Sequence, residues 1–458
     1  MESGVNRRRF LTGAAAGGFA LAGAAVLMRR RLRSRLSSWT RSPEFTATPP
    51  LVPHDPASER RTLHVARGGS PAANVDAVLD KLGGLSKVVG ADDVVIVKVS
   101  AQWWNQGMTN VAAARRVIES ILAVPGFRGE VVVFENTHFR LADGSGLSRA
   151  WTHPSDRNVD VPGWTRLGDL VPHFQSATFA NKVSFVGLVD AAPSALSNDH
   201  WHDPSHAHGV YGGDGRGPIA EGDPRDGYRW DFAREFRLRR SRVDEAKTPL
   251  TWPRFTSGQS GLVVDFRDGV LRREGGRLVD AQRKLTWINL VTANEHASTG
   301  FTGAVKSPMG IVDMSAGRMG NDPRVVDHQS VHHFGAPDAM WRMAGPLAHF
   351  ARNVRRPDLI LAVAEWVGTV PAGAKWDDET QDLRVAAESA HQLRTVVAGT
   401  DPVAIDAWCV RNLLMPLRGA RATDHDLDNP DSKVCRFLRY YRQVLGTGTL
   451  DESLVTVL

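Results

Sequence analysis

The chain has 458 residues, of which 42% are hydrophobic and 23% charged, a balance typical of soluble globular proteins with one large or two ordinary domains. Its formal net charge of +6 arises in residues 1–41, which hold nine arginines and one acid and leave 47 basic and 49 acidic residues elsewhere. The body of the chain is therefore close to neutral, and its composition gives no support for nucleic acid as a partner.

The chain opens with a segment typical of export signals. Residues 7–11, Arg-Arg-Arg-Phe-Leu, match the core of a twin-arginine signal. An apolar segment follows at residues 13–28, and its 16 residues are fewer than the roughly 20 that a membrane-spanning helix needs. We therefore predict a twin-arginine signal at residues 1–35, the twin-arginine export machinery as a partner, and a periplasmic or other extracytoplasmic location. The alternative is a retained N-terminal membrane anchor.

After a proline-rich linker at residues 36–62, short apolar runs alternate with amphipathic stretches. The predicted strands lie at residues 63–66, 94–99 and 131–134, one predicted helix contains Val75 and Val78, and Thr109 is expected to cap the next. This alternation predicts an α/β fold with a mostly parallel, doubly wound sheet over residues 63–415.

The pattern is interrupted at residues 140–250, which are rich in Gly, Pro, Asp, His and Trp and contain one weak strand near residues 183–189. We predict a large irregular insertion in this stretch. The later predicted elements are a hairpin at residues 263–272, strands at 285–291, 359–364 and 394–398, and helices at 402–413 and 431–446. Residues 416–458 are predicted to form a C-terminal helical extension.

The two cysteines, Cys409 and Cys435, are far apart and match no Cys-x-x-Cys spacing. This spacing excludes a cysteine-bound iron–sulfur cluster and a zinc ribbon. A disulfide in an oxidising compartment and two buried free thiols both remain open.

Three stretches carry a family resemblance. They are Leu-Gly-Gly-Leu at residues 82–85 with Asp-Val-Val-Ile-Val-Lys at 93–98, His296 followed by Thr-Gly-Phe-Thr-Gly-Ala-Val-Lys at 299–306, and Gly-Thr-Asp-Pro-Val-Ala-Ile-Asp-Ala at 399–407. Together they make residues 63–415 similar to the domain-of-unknown-function family 362. The resemblance implies an α/β fold and no settled activity. The chain is a divergent member, because Asn294 stands where the family usually has a lysine.

The loop at residues 296–310 is the first candidate site, because it follows a buried strand and contains Gly300, Gly303 and Lys306. Glycines let backbone amides approach an anion, and a lysine supplies a positive charge for a phosphate or carboxylate. We predict that these three residues bind a cofactor or an anionic ligand. The alternative is a tight turn with a surface lysine.

The spacing of His296 and Lys306 remotely resembles the nickel-pincer lactate racemase family. That resemblance implies a lysine that holds the cofactor and a histidine that moves a proton.

A second candidate is a metal site in the insertion. Its ligands would be the four histidines His200, His202, His206 and His208, close to Asp199 and Asp203. Such a density of nitrogen and oxygen ligands suits a divalent metal. The alternative is a solvated loop.

Three further residues, Lys98, Glu135 and His138, lie at or just beyond predicted strand ends and are expected to face one crevice. Asp401 precedes a proline and is predicted to cap a helix. Asp406 lies among apolar residues of that helix and needs a partner, so a structural ion pair and a catalytic carboxylate both remain open.

These features favour an exported enzyme that performs acid/base chemistry, or chemistry assisted by a metal or cofactor, on a small anionic metabolite. An isomerase or oxidoreductase fits best, with His296, Lys98, Glu135 and Asp406 as the catalytic residues and His296 as the acid/base. The competing hypothesis is a non-enzymatic protein that binds a metal or cofactor.

Overall fold

The computed structural model describes residues 60–137, 149–176, 178–179, 182–189, 226–239, 245–296, 298–313, 328–335, 339–369, 374–377, 382–385, 390–418 and 423–458. The chain divides into two compact units, Met1–Pro50 with Arg237–Ala246 and Leu51–Phe236 with Lys247–Leu458. The main sheet and the site described below belong to the second of these units.

The strands are β1 (Arg61–Arg67), β2 (Val94–Lys98), β3 (Glu130–Thr137), β4 (Val183–Val189), β5 (Gly227–Arg239), β6 (Glu245–Thr256), β7 (Val263–Asp265), β8 (Gly269–Glu274), β9 (Arg277–Asp280), β10 (Leu285–Val291), β11 (Asn294–His296), β12 (Gly300–Thr302), β13 (Leu359–Gly368), β14 (Ala374–Asp377), β15 (Asp382–Val385), β16 (Ala390–Gly399) and β17 (Val455–Val457). The helices are α1 (Pro71–Leu82), α2 (Val111–Leu122), α3 (Arg149–Thr152), α4 (Leu170–Phe174), α5 (Ala344–Asn353), α6 (Pro402–Cys409), α7 (Met415–Arg418) and α8 (Lys433–Leu445).

Eight strands form the main sheet, in the order β17-β1-β16-β13-β10-β2-β3-β4. The strands from β13 to β4 in this order are parallel to their neighbours, whereas β16 is antiparallel to both β13 and β1. The predicted α/β fold with a mostly parallel sheet is confirmed. Strand β17 pairs with β1, so the predicted C-terminal extension contains the helix α8 and also an edge strand of this sheet.

The sheet contains a topological switch point between β2 and β10. From β2 the chain proceeds outward through β3 and β4, whereas β10 and β13 extend the sheet in the other direction. Ligands in open α/β sheets bind outside the carboxyl ends of the strands at such a point. The switch point therefore marks the expected position of a ligand site.

Both faces of the central strands are buried, as their apolar sequences require. Every residue of β2 and of β10 is buried. On one face Val95 and Val97 belong to a hydrophobic core shared with α1 and α2. On the other face the Trp287 ring packs edge-on against Phe266 and against Phe350 of α5.

Several sequence predictions are confirmed at the level of single elements. The strands predicted at residues 183–189 and 285–291 have the bounds of β4 and β10, and the predicted hairpin is the antiparallel pair β7–β8. Asp401 caps α6, because its side chain accepts hydrogen bonds from the backbone N–H groups of Val403 and Ala404.

The prediction that Thr109 caps α2 is wrong, because Asn110 accepts the hydrogen bond from the Ala113 N–H. The Thr109 hydroxyl instead accepts from the Ser100 N–H and donates to the Leu290 carbonyl. Thr109 thus connects the loop after β2 to the end of β10.

Strand β5 and the first half of β6 lie within residues 140–250, the stretch predicted to be an irregular insertion. They belong to a five-stranded sheet in the order β5-β6-β7-β8-β9. Within the described ranges, no helix has the length and apolar character needed to cross a membrane. The predicted signal at residues 1–35 lies outside those ranges.

Candidate functional site

A cavity of about 130 Å³ lies at the carboxyl ends of the parallel strands around the switch point. Its wall includes five of the residues predicted from the sequence: Lys98, Glu135, His296, Gly303 and Lys306. A single water needs roughly 10–15 Å³ of such space, so the cavity has room for a small organic molecule. The structure thus brings together residues from strand ends that are far apart in the sequence.

Lys98 and Glu135 form a buried pair, with 3.9 Å between the lysine Nζ and a carboxylate oxygen. The other carboxylate oxygen of Glu135 accepts a hydrogen bond of 2.5 Å from the Ala101 N–H. Burial raises the pKa of Glu135 to about 7, although Lys98 and the backbone amides oppose the change. Burial also lowers the pKa of Lys98, with opposition from Glu135. The pair can therefore exchange a proton near neutral pH.

Lys306 follows strand β12 and also lines the cavity, and the residue is only partly buried. Burial, and secondarily the positive charge of Lys98, lowers its pKa to about 7. An anion in the cavity would offset part of the cost of burying the charged lysine, because a charged ammonium is stabilised by a nearby negative charge. Lys306 is therefore suited to bind an anionic ligand.

His296 is the last residue of β11 and lines the same cavity. Its Nδ1 atom accepts hydrogen bonds from the backbone N–H groups of Ser298 and Thr299, at 3.2 Å and 3.3 Å. Burial lowers the pKa of His296 well below its usual value, and the nearby Lys306 and His332 lower it further. The imidazole is therefore neutral at physiological pH.

Asp406 lies behind the cavity wall and is not part of its lining. Its two carboxylate oxygens accept hydrogen bonds from the backbone N–H groups of Ala304 and Val305, at 2.7 Å and 2.9 Å. Burial raises its pKa to about 7. The partners of Asp406 are therefore backbone amides, and its contacts are those of a residue that positions the segment before Lys306.

Close packing around positions 300 and 303 explains why both residues are glycines. A Cβ atom at Gly303 would collide with the Asp406 carboxylate, and one at Gly300 would lie 3.1 Å from the Val434 backbone nitrogen. Gly300 also has a φ of +79°, which favours glycine. Gly300 does not line the cavity, whereas Gly303 does.

Gly310, the last residue of the predicted loop, lines the cavity, and so do Glu295 and Gln102, which sequence reasoning missed. Glu295 is buried, and one of its carboxylate oxygens lies 3.8 Å from Nε2 of His425, which donates a 2.9 Å hydrogen bond to the Gly300 carbonyl. Glu295 directly precedes His296, so its acidic character beside a predicted site was the available signal. His425 offered none, since it lies more than a hundred residues downstream.

The predicted metal ligands His200, His202, His206 and His208 lie outside the described residues, as does His138. Among the residues that are described, no group of three or more His, Cys, Asp or Glu side chains is arranged to hold a metal ion. Cys409 and Cys435 are both buried and free.

Residues 281–411 match the family model described as Domain of unknown function (DUF362). Over this stretch the chain is similar to DUF362 proteins. The DUF362 match contains β10, His296, Lys306 and Asp406, together with the second and third of the stretches that carried the resemblance. Lys98 and Glu135 precede the DUF362 match, so the cavity combines residues from inside and outside it. No curated protein and no solved structure matches the chain.

Proposed function

We propose that the cavity is the active site of an enzyme that transfers a proton to or from a small anionic metabolite. The carrying observation is that Lys98, Glu135 and Lys306 converge on one small cavity, and that burial shifts the pKa of each toward neutrality. Groups whose pKa values lie near the working pH are the most effective proton donors and acceptors.

In this proposal Lys306 binds the ligand, and the Lys98–Glu135 pair transfers the proton. Lys306 in its protonated form binds the negative charge of the ligand, since the cavity excludes most of the water that would screen that charge. The Lys98–Glu135 pair accepts and returns the proton, because burial raises the pKa of Glu135 to about 7 and lowers the pKa of Lys98.

Ligand binding is tested by calorimetry with the purified protein, using a panel of small carboxylates and inorganic phosphate. Lys306→Ala should weaken binding of the effective ligand at least tenfold, whereas Lys87→Ala, at an exposed position distant from the cavity lining, should bind like the wild type. Affinity should fall as the pH rises above about 7, because the ligand favours protonated Lys306.

Proton transfer is tested with each bound ligand by incubation in deuterium oxide and NMR detection of deuterium at carbon. The wild type should exchange a ligand proton, and Glu135→Gln should abolish that exchange while the protein stays folded. Binding without exchange in the wild type would contradict an enzyme and support the competing hypothesis, a protein that only binds its ligand.

A further inference from the structure

We infer that His296 serves as a neutral hydrogen-bond donor, through Nε2–H, to a ligand oxygen that gains negative charge during the reaction. This inference rests on the proposed function and specifies its substrate class. The substrate would be a small anion in which the carbon that loses its proton is bonded to a carbonyl or carboxylate carbon.

The tautomer of His296 follows from its contacts. Two backbone N–H groups, of Ser298 and Thr299, point at Nδ1, so this nitrogen presents a lone pair and no proton. A neutral imidazole carries one proton, which must then be on Nε2. Protonation of Nδ1 would set an N–H against two other N–H donors in a buried environment, which is unfavourable.

The local backbone maintains this arrangement. Strands β11 and β12 form a short antiparallel hairpin in which His296 is paired with Gly300. The positive φ of Gly300 lets the chain turn so that the preceding amides face the imidazole. The His296 ring is therefore held by its own hairpin, with Nε2 as the polar ring atom left for a ligand in the cavity.

This geometry gives His296 a function other than the acid/base role predicted from the sequence. With its proton on Nε2, the ring has no lone pair there to accept a substrate proton or to bind a metal. It can donate a hydrogen bond, and Lys306 on the same cavity supplies a positive charge. A neutral donor beside a cation is an arrangement that stabilises a developing oxyanion.

The proton transfer then balances without any further reactant. The substrate C–H bond breaks, its electron pair moves toward the neighbouring carbonyl carbon, and negative charge develops on the oxygen that faces His296 and Lys306. The proton passes to the Lys98–Glu135 pair. The pair exchanges this proton with solvent and delivers a solvent-derived proton to the same face of the carbon, which restores the substrate with its hydrogen replaced.

The tautomer is tested on the wild-type protein by NMR of ¹⁵N-labelled histidine, in which protonated and unprotonated ring nitrogens have distinct shifts. The His296 signal, identified by its loss in a variant, should show a protonated Nε2 and an unprotonated Nδ1 from about pH 6 to pH 9. A proton on Nδ1, or an imidazolium at about pH 7, would overturn the inference whether or not a ligand is known.

Substitutions separate a donor from a base. His296→Gln retains a side-chain N–H and should lower deuterium exchange about tenfold, whereas His296→Phe should lower it roughly 10²- to 10³-fold, as expected for a lost oxyanion donor. His296→Glu offers a base without a donor and should be as inactive as the Phe variant. Greater exchange in His296→Glu than in His296→Gln would refute the donor role, while exchange in the wild type would still support the proposed function.

Discussion

Lys306 illustrates how a candidate site residue can lower the stability of its own fold. Its pKa falls from the usual 10.5 to about 7 because the charged ammonium is poorly solvated in the protein. At pH values below about 7 the lysine is charged in both the folded and the unfolded chain. The full cost of burying the charge then lowers the free energy of unfolding. Between about pH 7 and pH 10.5 the unfolded chain binds more protons, and the penalty declines as the pH rises.

We therefore expect Lys306→Met to raise the free energy of unfolding at about pH 6, on the order of 2–4 kcal/mol. The gain should shrink at about pH 9 and nearly vanish above pH 10.5. Urea unfolding at several pH values measures both effects, and Lys87→Met provides an exposed control without such a pH dependence. A loss of stability in Lys306→Met at low pH would contradict this account of the site.

Gly310 leaves the space that Lys98 needs. A Cβ atom at this position would lie 2.6 Å from Cε and 2.8 Å from Nζ of Lys98, so the end of this buried side chain would have to move. We expect Gly310→Ala to cost only about 1 kcal/mol of stability, because the end of Lys98 can shift into the cavity, and to weaken ligand binding, because Lys98 then occupies space that the ligand needs. Unfolding and calorimetric titration measure the two effects.

Gly258→Ala is the matched control for that substitution. A Cβ atom there would meet nothing within 4 Å, and the residue does not have a positive φ. Its stability should change by no more than about 0.5 kcal/mol. Equal behaviour of the two alanine variants would show that the space beside Lys98 is not restricted.

Single residues of the site differed in how far their sequence context revealed them. His296 and Lys306 were predictable, because glycines and a cation follow a buried strand within a few residues. The partners of Asp406 were not, since its bond to the Ala304 N–H joins residues 102 positions apart and only the fold brings them together. A buried acid indicates that a partner exists without identifying it.

At the scale of elements, the hairpin β11–β12 depends on a residue far downstream. His425 is buried and donates a hydrogen bond from Nε2 to the carbonyl of Gly300. It belongs to the segment before α8, outside the DUF362 match. The C-terminal segment thus supports the hairpin that carries His296.

We expect His425→Ala to destabilise the protein by about 1–3 kcal/mol, because the Gly300 carbonyl loses its buried donor. Amide hydrogen exchange should accelerate most in residues 294–302. His349→Ala is the control, since His349 also donates from Nε2 to a backbone carbonyl, that of Arg234, at 2.7 Å. If both variants changed exchange in the hairpin equally, His425 would have no specific effect there.

Secondary-structure elements were predicted well where the sequence pattern was compatible with only one kind of element. The apolar run of β10 is buried on both faces and was located to the residue, because few other structures accommodate such a run. The cap of α2 was assigned to the wrong neighbour, since Thr109 and Asn110 are both good capping residues. Strands β5 and β6 were missed because they lie in or beside a Gly- and Pro-rich stretch, although β5 has a period of two, with apolar residues at positions 228, 230, 232, 236 and 238.

At the scale of the whole molecule, the order of the strands explains why the candidate residues meet. The order in which strands are added reverses between β2 and β10, and the parallel pairing of these two strands places Lys98 beside Asn289, near the end of β10. Sequence patterns predicted the individual strands and the parallel sheet, but several strand orders were compatible with them. The ends of the predicted strands therefore indicated a crevice, but only the folded structure shows which residues line it.

The residues of the candidate site come together only in the folded chain. The signal predicted at residues 1–35 is of the kind that exports a chain after it has folded. We propose that these residues direct export of the folded protein by the twin-arginine route, as the sequence Arg-Arg-Arg-Phe-Leu at residues 7–11 indicates. Replacing both Arg7 and Arg8 by lysine preserves the charge and should retain the protein in the cytoplasm, as measured by fractionation and immunoblotting. The matched control replaces Arg29 and Arg30 by lysine in the later basic cluster and should leave export unchanged. Export of the first variant at the wild-type level would refute the twin-arginine route.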